Sequence, residues 1–176
     1  ILGLGVWFVY NEFFIIAEGY MWDKIYAILK QKAKEGVEIK IIFDDFGSIK
    51  RQHKGFLQKI RKDGIEISIF NPIYPLFNNF LNNRNHRKIV VIDGILAFTG
   101  GINIGDEYIN YEERFGHWMD SGVIIKGNAV TSFLCMFLTM WEFITGRRID
   151  AAPRIKETNI VDDGFAIPYS DGPLNL

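Results

Sequence analysis

The stretch Lys34-Glu35-Gly36-Val37-Glu38-Ile39-Lys40-Ile41-Ile42-Phe43-Asp44-Asp45 predicts the end of a helix followed by a buried strand. Residues 21–34 place apolar side chains at helical spacing, and Gly36 occupies the position that glycine favours just after a helix. Residues 6–16, further upstream, are mainly aromatic and β-branched, which favours a strand. The order strand, helix, strand indicates a parallel βαβ unit.

The rest of the chain continues to alternate apolar strands with helices. The further predicted elements are a helix at 50–62, a strand at 65–70, strands at 88–92 and 95–99, a strand at about 118–125 and a helix at about 129–144. The dipeptide Asp93-Gly94 favours a hairpin because both of its residues tolerate positive φ. Together these elements predict an α/β fold with a mixed, largely parallel sheet and helices on its faces.

Composition and charge limit the classes of function. The 176 residues are 48% hydrophobic and 23% charged, which predicts one globular domain with a substantial core. The 20 basic and 21 acidic residues give a net charge of -1, so no broad positive field attracts nucleic acid and any anion must be recognised locally. The single cysteine, Cys135, lies in an apolar run and is predicted to be a buried, reduced thiol. The aromatic side chains predicted as core in the same helix are Phe133, Phe137, Trp141 and Phe143.

The segment 83–94 contains the residues best suited to catalysis. In an extended chain His86 and Lys88 project on the same side, so an imidazole and an ammonium face one point. Such a histidine can act as a nucleophile or transfer a proton, and the lysine can hold phosphate oxygens. This combination supports phosphodiester chemistry without a metal. The simpler alternative is a solvated strand end, since a histidine beside basic residues usually has no catalytic role.

A second group of residues follows the hairpin. Gly100 and Gly101 permit close backbone approach, and the Asn103 side-chain amide can donate to a phosphate oxygen. Taken together, the pattern His86-x-Lys88-x4-Asp93-x6-Gly100-Gly101-x-Asn103 resembles the signature of the phospholipase D superfamily. That superfamily has an α/β/α sandwich fold and combines two such motifs in one active site.

The resemblance extends over nearly the whole chain, to the first half of bacterial cardiolipin synthases. The segments that carry it are 12–16, 21–22, 32–38, 44–48, 98–108 and 168–174. It implies a phosphatidyltransferase that condenses two phosphatidylglycerols to cardiolipin and glycerol through a phosphohistidine, with no metal or cofactor. His86 and Lys88 would be catalytic, and Lys88, Gly101 and Asn103 would bind substrate. The partner histidine would come from a second half, because His53 and His117 lie in no such motif.

Two aspartates have different expected roles. Asp93 belongs to the family motif and is a candidate catalytic residue, but its place beside Gly94 favours a structural role in the hairpin. A nucleophilic histidine also needs a carboxylate that stabilises its charged form. The family resemblance points to Asp120 for this task, with Glu113 as the weaker alternative and a solvated loop acid as the simpler interpretation of either. Family members often carry arginine where Met119 stands.

The expected domain covers residues 1–146, with 147–176 as a linker toward a missing second half, since the chain looks like a piece of a longer protein.

Expected partners are phosphatidylglycerol and other anionic phospholipids, a membrane surface, and the second half or a homodimer partner; nucleic acid is not expected. The expected location is the cell membrane, with the catalytic domain facing the cytoplasm. The loop next to the motif contains Tyr74, Phe77 and Phe80. These side chains are expected either to form a rim that contacts lipid or to be buried in the core, and the two alternatives have equal weight. The rival functions are a homodimeric phosphodiesterase or nuclease, and a non-catalytic lipid-binding half.

Overall fold

The computed structural model describes residues 6–73, 83–160 and 164–169, so the predicted aromatic rim lies outside the described residues. The strands are β1 Phe8–Phe13, β2 Glu38–Asp44, β3 Glu66–Phe70, β4 Ile89–Ile92, β5 Leu96–Gly100 and β6 Gly122–Lys126. The α-helices are α1 Tyr20–Lys34, α2 Asp45–Ser48, α3 Phe56–Lys62 and α4 Val130–Thr145. Short 3-10 turns occupy Asp106–Ile109 and Ala152–Arg154. Gly36 follows α1 with φ of 89°, a conformation that glycine adopts without strain.

The described strands form one sheet in the order β3-β2-β1-β4-β5-β6. β1, β2 and β3 are parallel because helices return the chain between them. β4, β5 and β6 run antiparallel to their neighbours, and Asp93 and Gly94 form the β4–β5 turn with φ of 54° and 67°. The α/β class, the mixed sheet and the hairpin are confirmed. The parallel share is smaller than expected, since only two of the five described pairings are parallel.

Helices cover both faces of the sheet because side chains alternate along each central strand. The face toward α1 and α3 buries Val9, Ile39, Ile41 and Phe43. The face toward α4 buries Phe8, Tyr10 and Ile42. Each such apolar side chain contributes about 1.5–3 kcal/mol when it is fully removed from water. The three layers confirm the predicted α/β/α sandwich.

α4 packs by one face only, although its sequence is apolar almost all round. The buried positions are Val130, Phe133, Leu134, Phe137, Leu138 and Trp141. Cys135 points away from this face and is exposed, and Phe143 is 76% exposed, so both were wrongly predicted as core residues. Within residues 6–73, 83–160 and 164–169, no helix has both the length and the apolar character needed to cross a membrane.

The segment after α4 stays in contact with the sheet. Arg154 donates to the Tyr10 hydroxyl at 2.6 Å and to the Glu38 carboxylate at 2.7 Å. Arg147 pairs with Glu66 at 2.8 Å. Burial is the main reason that the pKa of Tyr10 lies above its usual value, and the neighbouring Glu38 carboxylate acts in the same direction. Residues up to Arg154 therefore pack on the domain, and the boundary at residue 146 stays a prediction.

Candidate active site

The segment before β4 lies beside the ends of two parallel strands. β4 runs antiparallel to β1, and the first pair of their ladder joins Glu12 to Ile89. Residues 85–88 therefore continue past the carboxyl end of β1, where β2 also ends, at Asp44. Loops and strand ends at this edge of a parallel unit commonly carry ligand sites. The fold thus places His86 and Lys88 at an edge suited to binding.

His86 and Lys88 are in direct contact. The Lys88 Nζ atom lies 3.0 Å from Nδ1 and 3.1 Å from Nε2 of His86, and it donates to the His86 carbonyl oxygen at 2.7 Å. Lys88 is 5% exposed, whereas His86 is exposed. The ring of Phe14 lies 4.8 Å from the imidazole and 5.6 Å from Nζ, measured from its centroid. The accessible imidazole therefore contacts a buried ammonium, and the Phe14 ring forms an apolar wall beside both groups.

Burial and charge change the titration of both groups. Burial lowers the pKa of Lys88 to about 8, and the Asp120 carboxylate opposes this effect. Burial and, to a lesser degree, the Lys88 ammonium lower the pKa of His86, while Asp44 opposes them. The imidazole is therefore neutral near pH 7, as a nucleophile must be, while most Lys88 side chains still carry their charge.

Asn103 is buried and held by two parts of the chain. Its Oδ1 accepts from the Ile15 backbone N–H at 3.0 Å, and its Nδ2 donates to the Tyr108 hydroxyl at 3.1 Å. An amide nitrogen carries two N–H groups, and among the described residues only Tyr108 accepts from this one. The second N–H can donate to a substrate oxygen, which is the role predicted for Asn103.

Asp120 lies directly against Gly101. A Cβ atom added to Gly101 would come within 2.2 Å of the Asp120 carboxylate, so only glycine allows this approach. The carboxylate accepts from Trp118 Nε1 at 3.0 Å and from the Ser121 backbone at 2.7 Å, and its charge acts on Lys88. The fold therefore brings Asp120 toward Lys88, while its described hydrogen bonds do not include His86. Its predicted role toward His86 stays a prediction.

Asp93 lies at the other end of β4 from Lys88. Five residues of extended chain separate the two by roughly 16 Å. Its Oδ1 accepts from the backbone N–H groups of Trp7 and Phe8 at 2.7 and 2.8 Å, which ties the start of β1 to the hairpin. These contacts are those of a structural residue, and its catalytic role stays a prediction. Glu113 and Met119 are both exposed.

Two buried carboxylates under the site were not singled out from the sequence. Glu12 is 0% exposed, and its Oε1 accepts from Asn85 Nδ2 at 2.6 Å and lies 2.8 Å from Arg87 Nε. Asp44 is also 0% exposed and accepts from the Asn85 backbone N–H at 3.0 Å. The sequence signal that could have identified them is an acidic residue inside, or at the end of, an apolar strand. A buried charge at such a position is costly unless it has a partner.

An open apolar groove adjoins Lys88 on the α1 side of the sheet. It has a volume of about 510 Å³. Its lining includes Phe13, Met21, Val90, Phe98, Ile102 and Val123. Lys88 is the one charged residue among those that line it. β6 is the last strand of the described sheet, and its Val123 and Ile124 are 58% and 63% exposed.

A second cavity, of about 340 Å³, is lined mainly by charged and polar side chains around Arg51 and Glu107. These two form a buried ion pair, and Glu18 pairs with His53 at 2.8 Å. Some of the charges that line this cavity are thus paired with one another. Across 6–73, 83–160 and 164–169, no three His, Cys, Asp or Glu side chains are grouped as metal ligands.

Comparison with known sequences identifies the family of this chain. The family described as cardiolipin synthase, PLD-like domain, matches residues 11–141. The chain belongs to this family. It is 38% identical over 168 residues to a cardiolipin synthase of Halalkalibacterium halodurans, covering 94% of this chain and 33% of that protein. It is 45% identical over 170 residues to an uncharacterized protein of Streptococcus mutans, covering 96% of this chain and 37% of that protein. The chain thus spans about a third of the length of these relatives.

Solved structures with the same fold are more distant in sequence. The phospholipase D family member Nuc from Salmonella typhimurium superposes with a TM-score of 0.56 at 17% identity, covering 81% of this chain and 83% of that one. NucT from Helicobacter pylori superposes with a TM-score of 0.54 at 13% identity, covering 77% and 79%. These similarities establish the phospholipase D-like fold of this member of the family.

Proposed function

We propose that this chain supplies one half of the active site of a cardiolipin synthase-type phosphatidyltransferase. The observation that carries the proposal is the contact between the exposed His86 imidazole and the buried Lys88 ammonium, 3.0 Å apart, in a member of the cardiolipin synthase, PLD-like domain family. The reaction converts two phosphatidylglycerols to cardiolipin and glycerol. No step in it requires a metal or an organic cofactor.

The chemistry divides into two displacements at phosphorus. One histidine of the active pair attacks the phosphorus of phosphatidylglycerol, a N–P bond forms, and the bond from phosphorus to the glycerol oxygen breaks. The other histidine gives its proton to that oxygen, and glycerol leaves. A hydroxyl of a second phosphatidylglycerol then gives its proton to this histidine and attacks phosphorus, and the N–P bond breaks. His86 supplies one member of the pair, and the second half supplies the other.

The residues around His86 support the transition state. The Lys88 ammonium and the Asn103 amide would hold the phosphate oxygens on which negative charge accumulates. Gly101 keeps this space open, because any larger residue there would displace Asp120. The Asp120 carboxylate would stabilise the cationic imidazolium that develops during transfer. Each of these roles acts on charge that is larger in the transition state than in the substrate.

The groove beside Lys88 is the proposed docking surface of the second half. Its lining is apolar, it ends at the exposed edge strand β6, and the chain spans only about a third of its relatives, whose remaining length can supply the partner. Covering the groove would bring the second histidine to Lys88 and exclude water. A second copy of this chain is the alternative occupant. The assembled enzyme would act on phosphatidylglycerol and other anionic phospholipids at the cytoplasmic surface of the cell membrane.

The test is product analysis with phosphatidylglycerol vesicles. The chain, its His86→Ala variant and the matched control His117→Ala would each be incubated alone and with the unmatched part of the Halalkalibacterium halodurans cardiolipin synthase. We expect cardiolipin from the chain and from His117→Ala in at least one of these settings, and none from His86→Ala. Phosphatidic acid in place of cardiolipin would show hydrolysis and overturn the transferase assignment. Equal product from all three variants, or no product in either setting, would overturn the proposed role of His86.

A further inference from the structure

Glu12 is a fully buried carboxylate whose partners flank the reactive histidine. It is the fifth residue of β1, and its side chain is 0% exposed. Its Oε1 accepts from Asn85 Nδ2 at 2.6 Å and lies 2.8 Å from Arg87 Nε. Asn85 and Arg87 are the neighbours of His86 on either side. One carboxylate oxygen therefore holds both residues adjacent to the reactive imidazole.

The geometry places Glu12 and His86 on opposite sides of the chain. Side chains alternate in an extended segment, so Asn85 and Arg87 point toward Glu12 while His86 and Lys88 point away from it. The β1–β4 ladder begins at the Glu12–Ile89 pair, so residues 85–88 precede its hydrogen bonds. Side-chain contacts must therefore fix this segment.

The Asn85 side chain also links to the backbone of the segment. Its Oδ1 accepts from the Arg87 backbone N–H at 3.2 Å and lies 3.3 Å from Arg87 Nε. Its own backbone N–H donates to Asp44 at 3.0 Å. Contacts thus run from Glu12 through Asn85 to the backbone on both sides of His86.

This arrangement is not explained by stability alone. Burial raises the pKa of Glu12, while Arg87 and Asn85 oppose that effect. Its Oε2 has no hydrogen-bond partner among the described residues. A buried ion pair of this kind is often no more stabilising than apolar side chains of similar volume. Its contribution is more readily understood as a fixed geometry for the residues that it holds.

We propose that Glu12 is a positioning residue, which keeps the His86 imidazole against Lys88 Nζ by holding Asn85 and Arg87 on the opposite side of the chain. Its consequence for turnover rests on the proposed function. The orientation of the imidazole, in contrast, can be measured without any reaction. Glu12 itself touches neither the substrate nor the reacting atoms.

The experiment compares Glu12→Gln with Glu38→Gln in the same chain. Glu38 also lies in a strand and pairs with an arginine, Arg154, but on a segment away from His86. The readout is the set of imidazole signals of His86 in histidine-selective NMR across a pH titration, assigned with His86→Ala. Loss of the Glu12 charge should shift these signals and raise the pKa of His86 toward its ordinary value, because the ring moves away from Lys88. Glu38→Gln should leave both unchanged.

A kinetic measurement adds a second readout wherever the chain turns over lipid. Misplacing a reacting group by about 1 Å costs on the order of 10²-fold in rate, so we expect kcat of Glu12→Gln to fall by about that factor with little change in KM. If Glu12→Gln does not fold, Asn85→Ala removes the contact between Glu12 and residue 85 while Arg87 still pairs with Glu12. This variant should shift the His86 signals in the same direction. Unchanged His86 signals in whichever variant folds would overturn the proposal. Lack of turnover by the unmutated chain would count against the proposed function, while the NMR result would still decide the role of Glu12.

Discussion

Lys88 combines burial with a charge that the proposed reaction needs. Its pKa of about 8 means that the ammonium is mostly present at pH 7 and is lost as the pH rises through 8. We therefore expect kcat/KM for phosphatidylglycerol to fall with an apparent pKa near 8 on the alkaline side. A pH–rate profile of the assembled enzyme measures this. In a Lys88→Arg variant that retains activity, the fall of kcat/KM at alkaline pH should disappear. A profile identical to that of the unmutated enzyme would show that another group causes the fall.

The same burial predicts a cost in stability. The pKa of Lys88 lies at about 8 instead of 10.5, so holding its charged form in the fold costs about 3 kcal/mol at neutral pH. The cost is fully present below pH 8 and fades as the pH rises toward 10.5, because the folded-state amine is then neutral. Lys88→Met should raise the free energy of unfolding at pH 7 by roughly 1–3 kcal/mol and abolish turnover. Urea unfolding at pH 7 and pH 10 should show the gain at pH 7 and a smaller one at pH 10.

The β4–β5 hairpin depends on Asp93 for its attachment to β1. Asp93→Ala removes the acceptor for the Trp7 and Phe8 backbone N–H groups and should lower the free energy of unfolding by about 1–3 kcal/mol. Asp93→Asn keeps an oxygen at that position and should be closer to the unmutated chain. Denaturant titration measures both. Specific activity per folded molecule should be unchanged in Asp93→Asn, whereas a loss there would assign Asp93 a part in catalysis.

α4 offers a direct test of one-sided packing. Phe137 is 0% exposed and stacks on Tyr10 with 4.8 Å between ring centroids, whereas Phe143 is 76% exposed. Phe137→Ala should cost about 3–5 kcal/mol of unfolding free energy, because it leaves a cavity in the layer between helix and sheet. Phe143→Ala on the same helix should change it by less than about 0.5 kcal/mol. Thermal unfolding compares the two, and similar losses would contradict the assigned face.

In the proposed assembly, the second half covers the groove and edge strand β6. Replacing Val123 with Asp should weaken association with the second half by at least about tenfold, since a charge would be buried without a partner. The fold should be preserved, because Val123 is 58% exposed in the chain alone. Ile28→Asp, at a position on α1 that is 62% exposed, is the matched control. A binding titration between the chain and the second half measures both, and equal affinities would place the interface elsewhere.

Several elements follow from local patterns. The helix before Gly36, the strand after it and the Asp93-Gly94 turn depend on the spacing of apolar residues and on allowed φ angles, and all of them occur in the structure. The exposure of Cys135 does not follow from such patterns, because every side of an apolar helix is equally eligible for burial. Only the packing of α4 on the sheet selects which side is covered.

The α/β class, the hairpin, and the shared direction of His86 and Lys88 follow from the sequence, because each depends on residues close together in the chain. The contacts that surround this pair arise only when the chain is folded. Glu12 and Asn85 are 73 residues apart in sequence, and Asp44 and Asn85 are 41 apart. The antiparallel pairing of β4 with β1 brings them together. The periodicity of apolar residues carries no information about such distant pairings. The burial that lowers the pKa of Lys88 and the contacts around His86 could therefore be known only from the folded chain.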